Sequence, residues 1–341
     1  MAEKIQIAFG LHDKEGVYSK YLATTIVSIL ENTMSDICIH IFHDETVDKE
    51  KKDFFKSLIE DKYNQEVIFY FLDLDNEFRM WNIRSFSIGC LFRLYIFKCC
   101  NLKKIIYLDC DTLILGDIKK LWEYDINNFY CGVIKDIKET RNVIDNLYYK
   151  SMNIKNEKYF NSGVILFNIT KIKKDFNIIE EAKDFFERHK NVLFPDQDFL
   201  NFLFQDNMFF LDKKFNFIFK DIENVKKHML KEIVIVHFAG NIKPWNSSNI
   251  NILEEYYRYS SKIFMKNNLE ELCKFMSMIP RNYVKNLPLE NICGLYDNKK
   301  LIKIIVFSVL KVLFKEKYKI FINLYRKFNL KIKCLYYYFK M

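Results

Sequence analysis

Two carboxylates one residue apart, Asp109 and Asp111, close the apolar run Ile105-Ile106-Tyr107-Leu108. On an extended backbone side chains alternate, so the two aspartates share one face, about 7 Å apart, with Cys110 turned away. Hard oxygen ligands placed in this way can hold a divalent cation directly or through water. Read alone, the pair has a plain alternative as a solvated strand end, and the chain carries two more, Asp73/Asp75 and Asp196/Asp198. The first of these runs into Asn76, Glu77 and Phe78 and reads as a polar loop without metal. The pair at Asp109 instead continues through Thr112-Leu113-Ile114-Leu115 with strand-like alternation and turns at Gly116. His237 ends a second apolar run, Ile233 to Val236, and offers either a ligand nitrogen or a satisfied core imidazole.

The elements that must carry these groups alternate along the chain. Ile5 to Gly10 reads as a strand and Tyr18 to Asn32 as a helix, with Leu22, Ile26, Ile29 and Leu30 on one stripe. Ile37 to Phe42 precedes a helix over Asp48 to Lys62, Val67 to Leu72 is a strand, and Ile88 to Cys100 is a helix before the strand Lys104 to Leu108. Further strands are expected at Tyr130 to Ile134, Gly163 to Phe167 and Ile233 to His237, and helices at Ile179 to His189 and Gln197 to Phe204. Alternation of this kind predicts an α/β fold, a mostly parallel sheet with helices on both faces. Ligands of such sheets bind beyond the carboxyl ends of the strands, where Asp109 and Asp111 fall.

With 341 residues, half of them apolar, the chain can bury a sizeable core. Its nine cysteines are scattered without a Cys-x-x-Cys, which makes a disulfide framework or zinc site a poor reading. No signal peptide is evident at Met1 to Gly10, and a reducing cytoplasm is the expected compartment. The net charge of +9 is localised: residues 301–341 hold ten Lys or Arg and one acid, Glu316, while the remainder is balanced at 43 of each sign. The globular part therefore has no basic bias toward nucleic acid, and no nucleic-acid partner is expected.

Five segments together carry a resemblance. Tyr107-Leu108-Asp109-Cys110-Asp111, Leu115-Gly116-Asp117-Ile118, Phe160-Asn161-Ser162-Gly163-Val164, Pro195-Asp196-Gln197-Asp198-Phe199-Leu200-Asn201 and His237-Phe238-Ala239-Gly240-Asn241-Ile242-Lys243-Pro244-Trp245 resemble glycosyltransferase family 8 in order and approximate spacing. The resemblance covers about residues 1–250 and implies a GT-A fold, a UDP-hexose donor, Mn²⁺ with Mg²⁺ as the alternative, and retention at the anomeric carbon. By motif, it implies Asp109, Asp111 and His237 as metal ligands and Asp196 and Gln197 as the catalytic pair. Gly10, His12, Asp13, Arg93, Asp109, Cys110, Asn161, Gly240 and Lys243 are implied around the donor. In this chain the loop after the first strand, Gly10-Leu11-His12-Asp13-Lys14-Glu15-Gly16, departs from the acidic or amide residues with which many members read uracil and ribose.

Residues 1–250 are thus expected to form the catalytic domain, 251–300 a helical extension and 301–341 a basic, aromatic-rich tail. The apolar run Leu301 to Phe314 is interrupted by Lys303 and Lys311 and falls short of the roughly 20 residues that cross a bilayer. Interleaved Lys, Arg, Phe and Tyr beyond it suit an anionic membrane surface at the inner face, with a helix packed on the core as the alternative. The expected partners are a nucleotide-sugar donor and a saccharide or glycolipid acceptor, in synthesis of lipopolysaccharide or another cell-surface glycan. Rival readings are a nucleotidyltransferase or metal phosphoesterase, which needs neither the Asn161 nor the His237 segment, and an inactive membrane-associated scaffold of the same fold.

Overall fold

The computed structural model describes residues 3–74, 86–136, 143–218, 227–240, 243, 255–256, 258–260 and 262–263. The chain divides into two units, Met1–Ile263 and Phe264–Met341. The second unit, with the expected tail and most of the helical extension, lies outside the described residues, as do Asp75, Pro244 and Trp245.

Strands β1 (Ile5–Leu11), β2 (Ile37–His43) and β3 (Glu66–Phe71) alternate with helices α1 (Tyr18–Asn32) and α2 (Lys49–Lys56), the latter continuing as a π-helical stretch, Ser57–Lys62. A 3₁₀ segment, Ile88–Tyr95, runs into the short helix α3 (Ile96–Cys99), where one continuous helix was expected. Then come β4 (Lys104–Leu108), β5 (Thr112–Ile114), α4 (Lys119–Trp122), β6 (Cys131–Lys135), α5 (Val143–Ser151) and β7 (Phe160–Asn168). Helices α6 (Ile169–Asp175), α7 (Ile178–Arg188) and α8 (Pro195–Phe204) precede β8 (Met208–Phe210), β9 (Phe217–Ile218) and β10 (Ile235–His237).

Seven strands form the main sheet in the order β3-β2-β1-β4-β7-β6-β8. It is mostly parallel, with β7 antiparallel to both its neighbours. All seven residues of β2 are buried, as expected of a strand covered on both faces. One face carries a core of Phe92, Phe97, Phe160, Phe167, Phe185, Phe199 and Phe204 under the 3₁₀ segment and helices α6 to α8. Because β7 runs against β4, its first residues lie at the carboxyl ends of β1, β4 and β6. Asn161 to Gly163, Asp109 and the N-terminus of α8 therefore meet at one edge.

One expectation is corrected here. The strand carrying the acidic pair does not run on through Leu115: β4 stops at Leu108, Cys110 and Asp111 form a turn, and β5 belongs to a separate three-stranded sheet, β5-β10-β9. Helix α1 holds the turn from behind, with Thr25 Oγ1 donating to the carbonyls of Cys110 (2.9 Å) and Thr112 (2.7 Å). Strand β10 pairs antiparallel with β5 and sets His237 opposite Thr112. The chain reversal after Asp111 is thus what brings the histidine beside it.

Candidate active site

Asp109 is fixed at one carboxylate oxygen. Its Oδ1 accepts from Arg93 Nη2 at 2.7 Å and from the Tyr107 hydroxyl at 3.0 Å, while Oδ2 lies 3.7 Å from His237 Nε2. Asp111 Oδ2 accepts from Lys243 Nζ at 2.5 Å, and its Oδ1 stands 3.4 Å from His237 Nε2. Asp111 Oδ1 is buried and has no hydrogen-bond partner among the described residues. An orphaned anionic oxygen of this kind is costly unless a cation completes it. Among the described residues Asp109, Asp111 and His237 form a cluster whose ligand atoms all lie within 4.8 Å of one another. Two carboxylates and one imidazole suit Mn²⁺ or Mg²⁺ better than a thiolate-preferring ion, so the donor set fits the implied metal.

The electrostatics agree. Burial and the adjacent Asp111 charge raise the Asp109 carboxyl against the pull of Arg93. Burial also opposes ionisation of Asp111, but the His237 ring and the Lys243 ammonium override it and hold that carboxyl well below the usual range.

Gly163 is what lets the three side chains converge. A Cβ there would stand 2.7 Å from His237 Nδ1 and 2.8 Å from Asp109 Oδ2, and closer still to His237 Cε1. The Gly163 carbonyl meanwhile accepts from Asp109 N at 2.9 Å, tying β7 to the end of β4. His237 is 3 % exposed, and its Nδ1 faces Asn216 Oδ1 at 3.0 Å, which leaves Nε2 for the aspartates.

Arg93 is buried between Asp109 and Asp196, 3.0 Å from the latter, and also donates to the Ser162 carbonyl at 2.5 Å and packs over the Tyr107 ring. Burial opposes its charge, but the two carboxylates raise its pKa further still. Asp196 also accepts from Ser162 Oγ at 2.7 Å. Gln197 Oε1 accepts from Asn161 Nδ2 (3.1 Å) and Ser162 N (2.9 Å), and its Nε2 donates to Asp136 (3.3 Å). The third acidic pair is therefore no metal pair. Asp196 serves Arg93 and Ser162, while Asp198, buried, accepts 2.5 Å hydrogen bonds from Tyr148 and Tyr159 and a third from Phe194 N.

The first loop is organised mostly around itself. The Asp13 carboxylate accepts from Tyr18 N (2.8 Å) and Ser19 Oγ (2.5 Å) at the start of α1, and His12 Nδ1 contacts Asp44 Oδ2 at 2.6 Å. Cys110 donates its thiol to the Gly10 carbonyl. Gly10 is packed under the 3₁₀ segment, where a Cβ would meet Gly89 O at 2.9 Å. Asp13 and Cys110 are buried, and Gly10 and His12 are half-buried. Gly240 follows the histidine with φ 83° and open space around it, a conformation that favours glycine.

Sequence reading did not single out Asn216, Asp136, Ser162 or Thr25 for roles at this site. Asn216 sits between Phe215 and Phe217 with no local signal. Asp136 follows β6 as any polar residue after a strand does.

A mostly parallel sheet that ends in an Asp-x-Asp turn, completed by a histidine from a small second sheet, is the architecture of a GT-A glycosyltransferase. The chain belongs to glycosyl transferase family 8, whose profile matches residues 7–249. A putative glycosyltransferase of Haemophilus influenzae is 31% identical over 237 residues, covering 67% of this chain and 70% of that protein. The lipopolysaccharide 1,2-glucosyltransferase of Escherichia coli K12 is 26% identical over 257 residues, 71% of this chain and 75% of its own. The fold matches the crystal structure of the galactosyltransferase LgtC in complex with donor and acceptor sugar analogs, with TM-score 0.64 at 21% identity, over 76% of this chain and 97% of that one.

Proposed function

We propose that this chain moves galactose or glucose from UDP to a saccharide or glycolipid acceptor in synthesis of lipopolysaccharide or a similar cell-surface glycan. The observation that carries this reading is the Asp109, Asp111 and His237 cluster with its orphaned carboxylate oxygen, set in a family 8 chain. Mn²⁺ held there, or Mg²⁺ in its place, would supply Lewis-acid stabilisation of the diphosphate leaving group. Lys243, paired with Asp111 and with the Phe238 carbonyl (2.7 Å), would turn its ammonium toward the same diphosphate. The lipopolysaccharide glucosyltransferase among the relatives supports the substrate class.

Asp196 is ion-paired with Arg93 and accepts from Ser162, which weighs against it as the nucleophile of a double displacement. Gln197, held by Asn161, is then the polar group that faces positive charge developing at the sugar, and retention follows a front-face route. Incubation with UDP-glucose, UDP-galactose, a GDP-sugar and a CMP-sugar, without acceptor, tests the reading through nucleotide release. Slow UDP release dependent on Mn²⁺ is expected. Release of GDP or CMP in preference refutes the donor, and no release under any metal favours the inactive scaffold.

No helix among the described residues is long and apolar enough to cross a membrane. The basic 301–341 segment supports attachment at the inner face of an anionic membrane. Truncation after Lys300 should abolish sedimentation with phosphatidylglycerol-rich vesicles, and unchanged sedimentation removes the idea.

A further inference from the structure

Four side chains join the histidine ligand to the far side of the cleft by hydrogen bonds that all point one way. His237 Nδ1 meets Asn216 Oδ1 at 3.0 Å, Asn216 Nδ2 donates to Asn161 Oδ1 at 2.9 Å, and Asn161 Nδ2 donates to Gln197 Oε1 at 3.1 Å. Gln197 Nε2 then donates to Asp136 Oδ2 at 3.3 Å. An amide side chain could in principle be turned over at each link, reversing donor and acceptor.

Two backbone groups forbid that reversal. A backbone N–H can only donate. Ser162 N donates to Gln197 Oε1 at 2.9 Å, and Gly163 N donates to Asn161 Oδ1 at 3.0 Å. With Asn161 Oδ1 facing outward, Asn216 must present Nδ2 to it and Oδ1 to the imidazole. Asn216 Oδ1 has no proton, so His237 Nδ1 must carry one. In the neutral ring the lone pair is then on Nε2, toward Asp109 Oδ2 and Asp111 Oδ1. Only an unprotonated nitrogen can ligate a metal.

We propose that Asn216 is a positioning residue that fixes the metal-binding tautomer of His237, its own orientation imposed through Asn161 by the backbone amide of Gly163. The inference rests on the metal-site reading given above, and its test uses no sugar donor. Failure of UDP release therefore counts against the function, and the results below count for or against Asn216.

Ring ¹⁵N NMR of His237 in the metal-free protein, recorded at a pH high enough that the ring is neutral, should show the Nδ1–H tautomer in the parent and in Asn216→Asp, which keeps the acceptor oxygen. Asn216→Leu, similar in size but without an acceptor, should give a mixture of tautomers. Free-ion EPR should then report Mn²⁺ affinity within about threefold of the parent for Asn216→Asp and weakened about 10–100-fold for Asn216→Leu. An Nε2–H tautomer in the parent overturns the proposal. So does parental Mn²⁺ affinity in Asn216→Leu, or an Asn216→Asp protein weakened as much as Asn216→Leu. If Asn216→Leu does not fold, the parent tautomer and the nearly isosteric Asp variant still decide the matter.

Discussion

Adding a single methyl group at Gly163 should destroy the metal site while leaving the fold in place. Gly163 lies in β7 where the pairing with β6 slips register between Val133 and Ile134, but its φ is outside the left-handed region, so alanine meets no penalty of handedness. The penalty is spatial. The new Cβ would lie 2.7 Å from His237 Nδ1, 2.8 Å from Asp109 Oδ2 and nearer still to His237 Cε1, which falls short of ordinary contact by at least about 0.6–0.7 Å. Asp109 is anchored by Arg93 and Tyr107, so the imidazole must give way. Metal–ligand distances tolerate about 0.2 Å. The displacement is severalfold larger, and the third ligand is lost. Overpacking costs about 1–3 kcal/mol, offset in part by the roughly 0.5–1 kcal/mol that alanine recovers over glycine in the unfolded chain. Gly163→Ala should therefore melt within several degrees of the parent yet bind Mn²⁺ at least about 100-fold more weakly, read by free-ion EPR, with UDP release falling in parallel. Parental Mn²⁺ affinity in a folded Gly163→Ala protein would refute the assignment of His237 as a ligand.

Two further outcomes follow from the same geometry. Lys243→Met removes the ammonium that neutralises Asp111, so Mn²⁺ affinity without nucleotide should be equal or tighter by EPR, while UDP binding by calorimetry weakens. His40, buried between Gln6 and Tyr70, has its pKa lowered to about 4 by burial, so the folded chain binds fewer protons than the unfolded one. Its contribution to stability is complete above pH 6.5 and declines by at most about 1.4 kcal/mol per pH unit as pH falls toward 4. Melting temperatures from pH 7.5 to 4.5 should fall more steeply for the parent than for His40→Gln, and parallel profiles would refute this.

The groups able to do chemistry were legible in the sequence because residue type and short-range periodicity are local properties. A short apolar run bounded by polar residues reads as a strand from its own residues, and aspartates at its end fall at a sheet edge. On that basis the α/β class, the acidic pair at Asp109 and the histidine at the end of a late strand are all legible without tertiary contacts. The local rule also misled, since it extended the strand through Asp111, where tertiary pairing of Thr112–Ile114 with Ile235–His237 instead imposes a turn. Only the folded chain could separate the acidic pairs at Asp109 and Asp196 by their partners, turn Asp13 onto a helix start and bury Arg93 between two carboxylates. Hydrogen-bond direction and the space left by a missing Cβ exist only between segments distant in sequence. For that reason Asn216 and the steric role of Gly163 belong to the tertiary structure, while the ligands they position belong to the sequence.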